Sequence, residues 1–398
     1  MSKLDELITE FCPEGVEYKA LGELGEFYGG LSGKSKEDFS EGNAKFITYM
    51  NVFSNLSLNT DVNDKVKIGE KEKQNTVKYG DVLFTGSSET PDECGMSSVL
   101  TTKTDELLFL NSFCFGFRLY DKDLLVPDFS KYLFRSEELR KQIKRTASGV
   151  TRFNVSKKKM EQIVIPLPPL PVQNEIVRIL DNFTELTAEL TAELTARKKQ
   201  YEYYRDELLS IDNETRYVAL DDICEISRGR VMSKEYLRDN AGEYPVYSSQ
   251  TANNGIFGFI DSFDYEDESI TWTTDGANAG SVFYHVNEKF SITNVCGLLR
   301  VVNKSEVNTR FVYYVLQVVA KKYVSSGMGN PKLMSNVMAR VKISLPPLEK
   351  QNRIVAILDR FDTLCNDLAS GLPAEIEARR KQYEYYRDKL LTFREASA

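Results

Sequence analysis

The sequence predicts an α+β protein in which two globular domains are joined by two long antiparallel coiled-coil helices, in a cyclic arrangement with approximate twofold symmetry. Three observations carry this prediction. The octapeptide Lys-Gln-Tyr-Glu-Tyr-Tyr-Arg-Asp stands at 199–206 and again, unchanged, at 381–388. A Pro-rich entry precedes each copy: Leu167-Pro168-Pro169-Leu170 leads to Gln173-Asn174, and Leu345-Pro346-Pro347-Leu348 leads to Gln351-Asn352, 178 residues later. Between these conserved-looking stretches lie segments with short strand-like runs and Gly, Asn and Ser clusters, the pattern of a folded sheet-rich domain. Internal repetition at this scale fixes the architecture before any single element is read.

Taken in order, residues 4–11 form a short helix ended by Pro13 and Gly15. The first globular domain, 1–165 with that helix, offers strands at Lys45–Met50, Asp81–Thr85 and Phe113–Leu119, then a helix over Lys131–Lys144 and a polar loop at Ala147–Asn154. The first arm, 166–212, has apolar or aromatic points at Ile176, Leu180, Phe183, Leu190, Leu194, Tyr201, Tyr204 and Leu208. Thr187 and Arg197 interrupt this heptad seam. Thr-Ala-Glu-Leu occurs in tandem at 187–194; each unit adds about one turn, roughly 6 Å. The helical stretch of the arm, from about Gln173 to Leu209, is a rod of about 55 Å, too long to stay folded without a partner.

The second globular domain, 213–343, restarts the pattern. Tyr217-Val218-Ala219-Leu220 echoes Tyr18-Lys19-Ala20-Leu21, and the Val295–Val301 run matches Cys114–Leu119 around a shared glycine, Gly116 and Gly297. A helix over Arg310–Tyr323 and the loop Ser325–Asn330 match their counterparts in the first domain. In the second arm, 344–398, Gly371-Leu372-Pro373 predicts a kink or a split into two helices. Asp5-Glu6-Leu7-Ile8 resembles the arm tails at Asp206–Leu209 and Asp388–Leu391, so the N-terminal helix reads as the tail of an arm and the two termini come close together.

Composition is that of a soluble globular chain, 41% hydrophobic and 28% charged with net charge −8. The six cysteines are scattered, with no Cys-x-x-Cys pair, which favours a reducing cytoplasm and no metal site. Charge is unevenly spread. Residues 131–160 carry ten Lys or Arg against two Glu, and 309–342 carry six and no acid, at matching places in the repeat. Locally basic faces on an acidic chain fit DNA binding at chosen surfaces.

No catalytic constellation is present. His285 is the single histidine, the Gly29–Ser35 turn has the wrong spacing for a phosphate-binding loop, and no Asn/Asp-Pro-Pro-Tyr/Phe motif exists. Glu17-Tyr18-Lys19 offers only half of a nuclease-like motif. The predicted role is recognition and scaffolding, with no catalytic and no metal-binding residues.

The paired Leu-Pro-Pro-Leu entries, the paired Tyr-rich arm ends and the tandem Thr-Ala-Glu-Leu make the whole chain resemble the specificity (S) subunit of type I restriction–modification enzymes. That resemblance implies two target recognition domains, each reading one half of a bipartite asymmetric double-stranded DNA target, with the arms fixing the gap. It implies two methylation (M) subunits as partners, which bind S-adenosylmethionine, and two restriction (R) subunits, which use ATP and Mg; this chain itself carries no cofactor and no membrane contact. The candidate DNA contacts are basic residues near Gly/Ser/Asn loops: Arg152, Lys157 and Lys158 in the first domain, Arg228, Arg230 and Lys332 in the second, and Lys34 in its Gly-rich turn. The candidate spacer and subunit-interface residues are Leu190, Leu194, Tyr201, Tyr204, Tyr383 and Tyr386. The alternative is a non-specific DNA-binding or structural coiled-coil scaffold, which leaves two divergent globular inserts unexplained.

Overall fold

The computed structural model describes residues 2–210, 216–325, 329–367 and 369–396. The chain forms two compact units, Met1–Leu190 with Ile376–Ala398, and Thr191–Glu375. Each unit therefore gathers one mixed segment with portions of both arms. The predicted boundary at 212–213 and part of the loop Ser325–Asn330 (residues 326–328) lie outside the described residues.

The first unit opens with the helix Lys3–Phe11, started by a capping box. The Ser2 hydroxyl accepts from the Asp5 N–H (3.2 Å) and the Asp5 carboxylate accepts from the Ser2 N–H (2.9 Å). Strand Glu17–Ala20 then pairs antiparallel with Val164–Leu167, Tyr18 opposite Pro166, so the first strand of the domain is tied to the last one before the arm. The central sheet is antiparallel in the order Gly25–Gly29, Cys114–Leu119, Val82–Thr85, Ser97–Val99. A smaller four-stranded sheet is built around a parallel pair, Phe46 opposite Phe109. The main core joins the central sheet to the arm: Phe84, Phe117, Phe129, Leu133, Ile165, Val172, Ile176 and Leu180 share one buried cluster.

The second unit repeats this plan. Arg216–Ala219 pairs with Lys342–Leu345. The central antiparallel sheet runs Cys224–Arg228, Cys296–Val301, Ser269–Thr273, Val282–His285. The smaller sheet has three strands around the parallel pair Val246–Ser291. The lesser sheet is one place where the two inserts differ.

The shared glycine has a common cause in both units. A Cβ on Gly297 would sit 2.2 Å from the Trp272 ring, and one on Gly116 would sit 2.2 Å from the Tyr28 ring. Tyr28 and Trp272 are the cross-strand neighbours of these glycines. Each aromatic ring lies flat across the strand, and only hydrogen leaves it room.

Two predicted elements are corrected. The helix expected over Lys131–Lys144 is two helices, Pro127–Leu133 and Glu137–Thr146. Ser136 is extended (φ −65°, ψ 152°) and its hydroxyl donates to the Leu133 carbonyl at 2.7 Å, closing one helix as the next begins. The strand expected over Lys45–Met50 ends at Ile47, because Thr48 caps the helix Tyr49–Ser54 by accepting from the Asn51 N–H.

The first arm is one helix, Leu170–Leu208, of 39 residues. Along its seam Ile176, Leu180 and Tyr201 are buried, and Phe183, Thr187, Leu190, Leu194, Arg197 and Leu208 are half-buried; Tyr204 alone is exposed. The Thr187 hydroxyl is satisfied by the Phe183 carbonyl (2.8 Å), which lets a polar residue sit in the seam. The second arm is split into Leu348–Asn366 and Leu372–Leu390. The break falls before Pro373, not at it. The Asp367 side chain accepts from the Ala369 N–H (2.7 Å), and a Cβ on Gly371 would meet the Thr363 carbonyl oxygen at 2.5 Å. Pro373 stands in the first turn of the new helix, where no N–H partner is needed.

Candidate nucleic-acid interface

Each unit fastens its mixed segment to an arm with the same polar clamp. The Tyr132 hydroxyl donates to Asp181 (2.5 Å), and the Tyr314 hydroxyl donates to Asp359 (2.5 Å), 178 residues further along the arm pattern. A cation completes each clamp. Lys131 binds Asp181 (2.9 Å) and Asp128 (2.7 Å); Arg310 binds Asp359 (2.8 Å) and Asp362 (3.1 Å). Gln173 and Gln351 pin the Pro-rich entries identically, each donating to a proline carbonyl five residues back (Pro168, Pro346) at 2.8 Å. Burial raises the hydroxyl pKa of Tyr132 and Tyr314, and the neighbouring aspartate raises it further.

These clamps change the meaning of the basic runs. Arg135 donates to the carbonyls of Ser97 (2.7 Å) and Phe53 (2.9 Å), and Arg140 to those of Cys94, Gly95 and Asp92. Burial pushes both guanidinium groups down to about 10. Lys144 pairs with Asp92 and Lys141 with Glu137. Much of the positive charge in 131–160 therefore closes loops inside the unit. Arg152, Lys157 and Lys158 are exposed.

A small ladder positions the surface that carries Arg152. Asn154 stands between Ser148 and Ser87. In the second unit Lys332 stands between Ser325 and Asp275 in the same antiparallel manner. The ladder projects the tip Gly149–Arg152. Gly149 is required there: its φ is +146°, and a Cβ would collide with the Arg152 carbonyl oxygen. Val150 at the tip is 91% exposed. The Arg152 Nε donates to Ser87 Oγ at 3.2 Å, and its guanidinium lies 5.5 Å above the Phe113 ring. Tyr49, Met50, Phe53, Glu89 and Phe113 line a groove beside it. Met50 and Phe113 are each more than half exposed. Exposed apolar groups next to an arginine suit thymine methyls and base edges in a major groove, and a carboxylate such as Glu89 can only accept, as from a cytosine amino group.

In the second unit Arg228 and Lys332 converge on one turn. Arg228 donates to Thr274 Oγ1 (3.1 Å), Lys332 lies 3.8 Å from Asp275, and Thr274 donates to Asp275 (3.2 Å). Arg230 is drawn elsewhere, to Asp264 (3.0 Å) and the Tyr236 hydroxyl (2.8 Å). Lys34 serves its own loop: with its side chain 8% exposed, it donates to Glu72 (2.6 Å) and to the Lys67 carbonyl. Sequence reasoning missed Met50, Glu89 and Phe113, which no motif marks. In the second unit Asn253 and Asn254 stand at positive φ (50° and 54°) in a tight Asn-Asn-Gly turn.

The arm-end tyrosines are accounted for within their own units. Tyr386 stacks on Phe183 (5.4 Å) and Tyr204 stacks on Phe361 (5.8 Å). Tyr383 packs on Tyr132 and Tyr201 on Phe361. The remaining tyrosine of each octapeptide, Tyr203 and Tyr385, is exposed (65% and 61%). His285 is structural: it is buried, bonded to Thr271 (2.8 Å) and Glu288 (3.0 Å), and stacked on Phe290. Among the described residues no cluster of His, Cys, Asp and Glu could hold a metal, and no helix is long and apolar enough to cross a membrane.

Comparison with known proteins agrees with this layout. The specificity subunit of the type I restriction enzyme MpnII of Mycoplasma pneumoniae is 38% identical over 305 residues, covering 60% of this chain and 92% of its own. The crystal structure of a type I restriction–modification S subunit from M. genitalium superposes with a TM-score of 0.57 at 18% identity, covering 95% of this chain and 96% of its own. A structure from work on complex assembly and conformational transition of the type I R-M system gives a TM-score of 0.65 at 19% identity, covering 95% and 98%. At such identities the structures speak for the fold. The family model for the type I restriction modification DNA specificity domain matches twice, over residues 13–197 and 213–378, and the chain belongs to that family.

Proposed function

We propose that this chain is the DNA-specificity subunit of a type I restriction–modification system, each unit reading one half of a bipartite, asymmetric duplex target. The observation that carries this reading is one scaffold used twice with different tips. The same clamp, the same pairing of first and last strands and the same ladder recur, but the ladder presents Arg152 beside Phe113 in one unit and Lys332 beside Arg228 in the other. Identical scaffolds with dissimilar readers suit two unrelated half-sequences. Arg152, Lys157, Lys158 and Arg230 set position on phosphates, and Arg228, Lys332 and the groove residues read base edges.

The arms set the gap between half-sites. Phe183 meets Tyr386 and Tyr204 meets Phe361, so contact positions rise along the first arm as they fall along the second, which supports an antiparallel coiled-coil pairing. Two methylation subunits dock along the arms, at surfaces that include the exposed Tyr203 and Tyr385, and two restriction subunits join them. S-adenosylmethionine belongs to the methylation subunits, and ATP with Mg to the restriction subunits. This chain contributes recognition and no catalysis.

Arm length supplies the test. One added Thr-Ala-Glu-Leu unit after Leu194 lengthens the arm by four residues, roughly 6 Å or about two base-pair steps. Methylome sequencing of cells carrying this variant is expected to show both half-sequences unchanged and the gap altered. An unaltered gap overturns the spacer role.

A further inference from the structure

The duplication lets one unit serve as a reference for the other. In the first unit the helix Lys3–Phe11 lies against the beginning of the first arm. Lys3 Nζ is 3.1 Å from Glu175, whose side chain is 4% exposed beneath it. Leu4 is buried in the same apolar cluster as Val172 and Ile176, with Leu7, Ile8, Ile179 and Leu390 packed on that cluster. Asp5, two residues beyond Lys3, is within electrostatic reach of Lys389 at the end of the second arm.

The same positions recur in the second unit. Glu175, Ile176 and Ile179 become Arg353, Ile354 and Ile357, and Lys389 and Leu390 become Glu207 and Leu208. Glu207, Leu208, Arg353, Ile354 and Ile357 line a groove there together with Glu349 and Lys350, and Lys350 stands at the position of Val172. Among the described residues no helix corresponding to Lys3–Phe11 covers it. Arg353 is exposed, whereas its counterpart Glu175 is buried. Both charged walls are reversed: acid and base in the first unit are base and acid in the second.

We infer that this groove of the second unit is a docking site for one amphipathic helix of a partner chain, two to three turns long, with charges opposite to those of Lys3–Phe11. The partner helix carries aliphatic residues where the first unit has Leu4, Leu7 and Ile8, a carboxylate in place of Lys3 to meet Arg353, and a cation in place of Asp5 to meet Glu207. An apolar stripe in a groove supplies affinity, and the flanking charges select the partner. The N-terminal helix of a second copy is disfavoured, since its Lys3 would face Arg353 and its Asp5 would face Glu207. The inference rests on the duplicated fold and is independent of how DNA is read.

The test uses the full chain and two end-blocked, helix-stapled peptides followed by fluorescence anisotropy. One has the sequence of residues 2–11, and the other is the same peptide with Lys3→Glu and Asp5→Lys. Each exposed ion pair is worth a factor of roughly two to five. The charge-swapped peptide is therefore expected to bind about five- to twenty-fold tighter than the unaltered one. Reversing the groove with Arg353→Glu and Glu207→Lys, both exposed positions, is expected to invert that preference while the far-UV circular dichroism stays unchanged. Equal binding of the two peptides, binding of neither, or a preference that survives the reversal overturns the assignment.

Discussion

Replacing Gly297 by alanine tests the ring-over-glycine packing in the central sheet of the second unit. The added Cβ would stand 2.2 Å from two atoms of the Trp272 ring. An ordinary contact needs about 3.5 Å, so ring or strand must move by more than 1 Å. Neither has room. Trp272 is fully buried, and its Nε1–H donates to the Leu333 carbonyl at 2.9 Å. Overpacking of this kind costs about 1–3 kcal/mol, and a strained or lost indole hydrogen bond adds about 0.5–1.5 kcal/mol. The expected loss is about 2–4 kcal/mol, which lowers the unfolding midpoint by roughly 5–15 °C for a unit of this size. Trp272 is the single tryptophan of the sequence, so its fluorescence reports on this core directly. Thermal unfolding followed by tryptophan emission should show the lowered midpoint. Trp272→Phe in the same chain should relieve part of the clash, read by circular dichroism. An unshifted midpoint, or a double variant as unstable as the sum of the singles, would refute the steric reasoning.

Other outcomes follow from the same contacts. Tyr132→Phe and Tyr314→Phe each remove a hydrogen bond to a carboxylate and should cost about 1.5–3 kcal/mol in chemical denaturation; a large loss at one site and none at the other would deny the equivalence of the clamps. The Glu175 carboxyl is held down to about 2 by Arg178 first and then Lys3, against an ordinary value of 4.5. A depressed pKa stabilises the fold fully above about 4.5 and progressively less as pH falls toward 2. The protection of the Lys3–Phe11 amides relative to their intrinsic exchange rates should therefore fall between pH 5 and 3, and Glu175→Gln should abolish that step; a pH-independent protection ratio contradicts it. Arg152→Ala should weaken duplex binding and shallow its salt dependence by roughly one phosphate contact, whereas Lys34→Ala should leave the slope unchanged. A steeper loss for Lys34 would reverse the assignment of these two cations.

Much of the fold was legible because the repeat repeats its reasons. The Leu-Pro-Pro-Leu entries recur because each is pinned by a glutamine, Gln173 or Gln351. The seam residues Ile176, Leu180 and Tyr201 are buried as heptad spacing requires. Gly116 and Gly297 stood out because each faces an aromatic ring. What local pattern could not reveal was where long-range partners lie. Lys34 reads as a cation in a glycine-rich turn until Glu72, distant in sequence, takes it. Arg310 reads as part of a basic face until Asp359 and Asp362 bind it. Arg135 and Arg140 satisfy carbonyls of loops that sequence alone does not bring near them. The apolar groove at Met50 and Phe113 was hidden for the same reason: its lining comes from separate elements, and the residues have no shared spacing.

The central claim is that each unit reads its own half of one split DNA target. Its most direct test is methylome sequencing of matched cells lacking the gene, carrying it, and carrying it with the second-unit residues Arg228 and Lys332 replaced by alanine. The gene should add one adenine-methylation motif made of two short half-sequences around an unspecified gap, and the replacements should relax or abolish one half-sequence while leaving the other unchanged wherever methylation persists. A motif without a gap, or replacements that alter both halves together, would contradict the account.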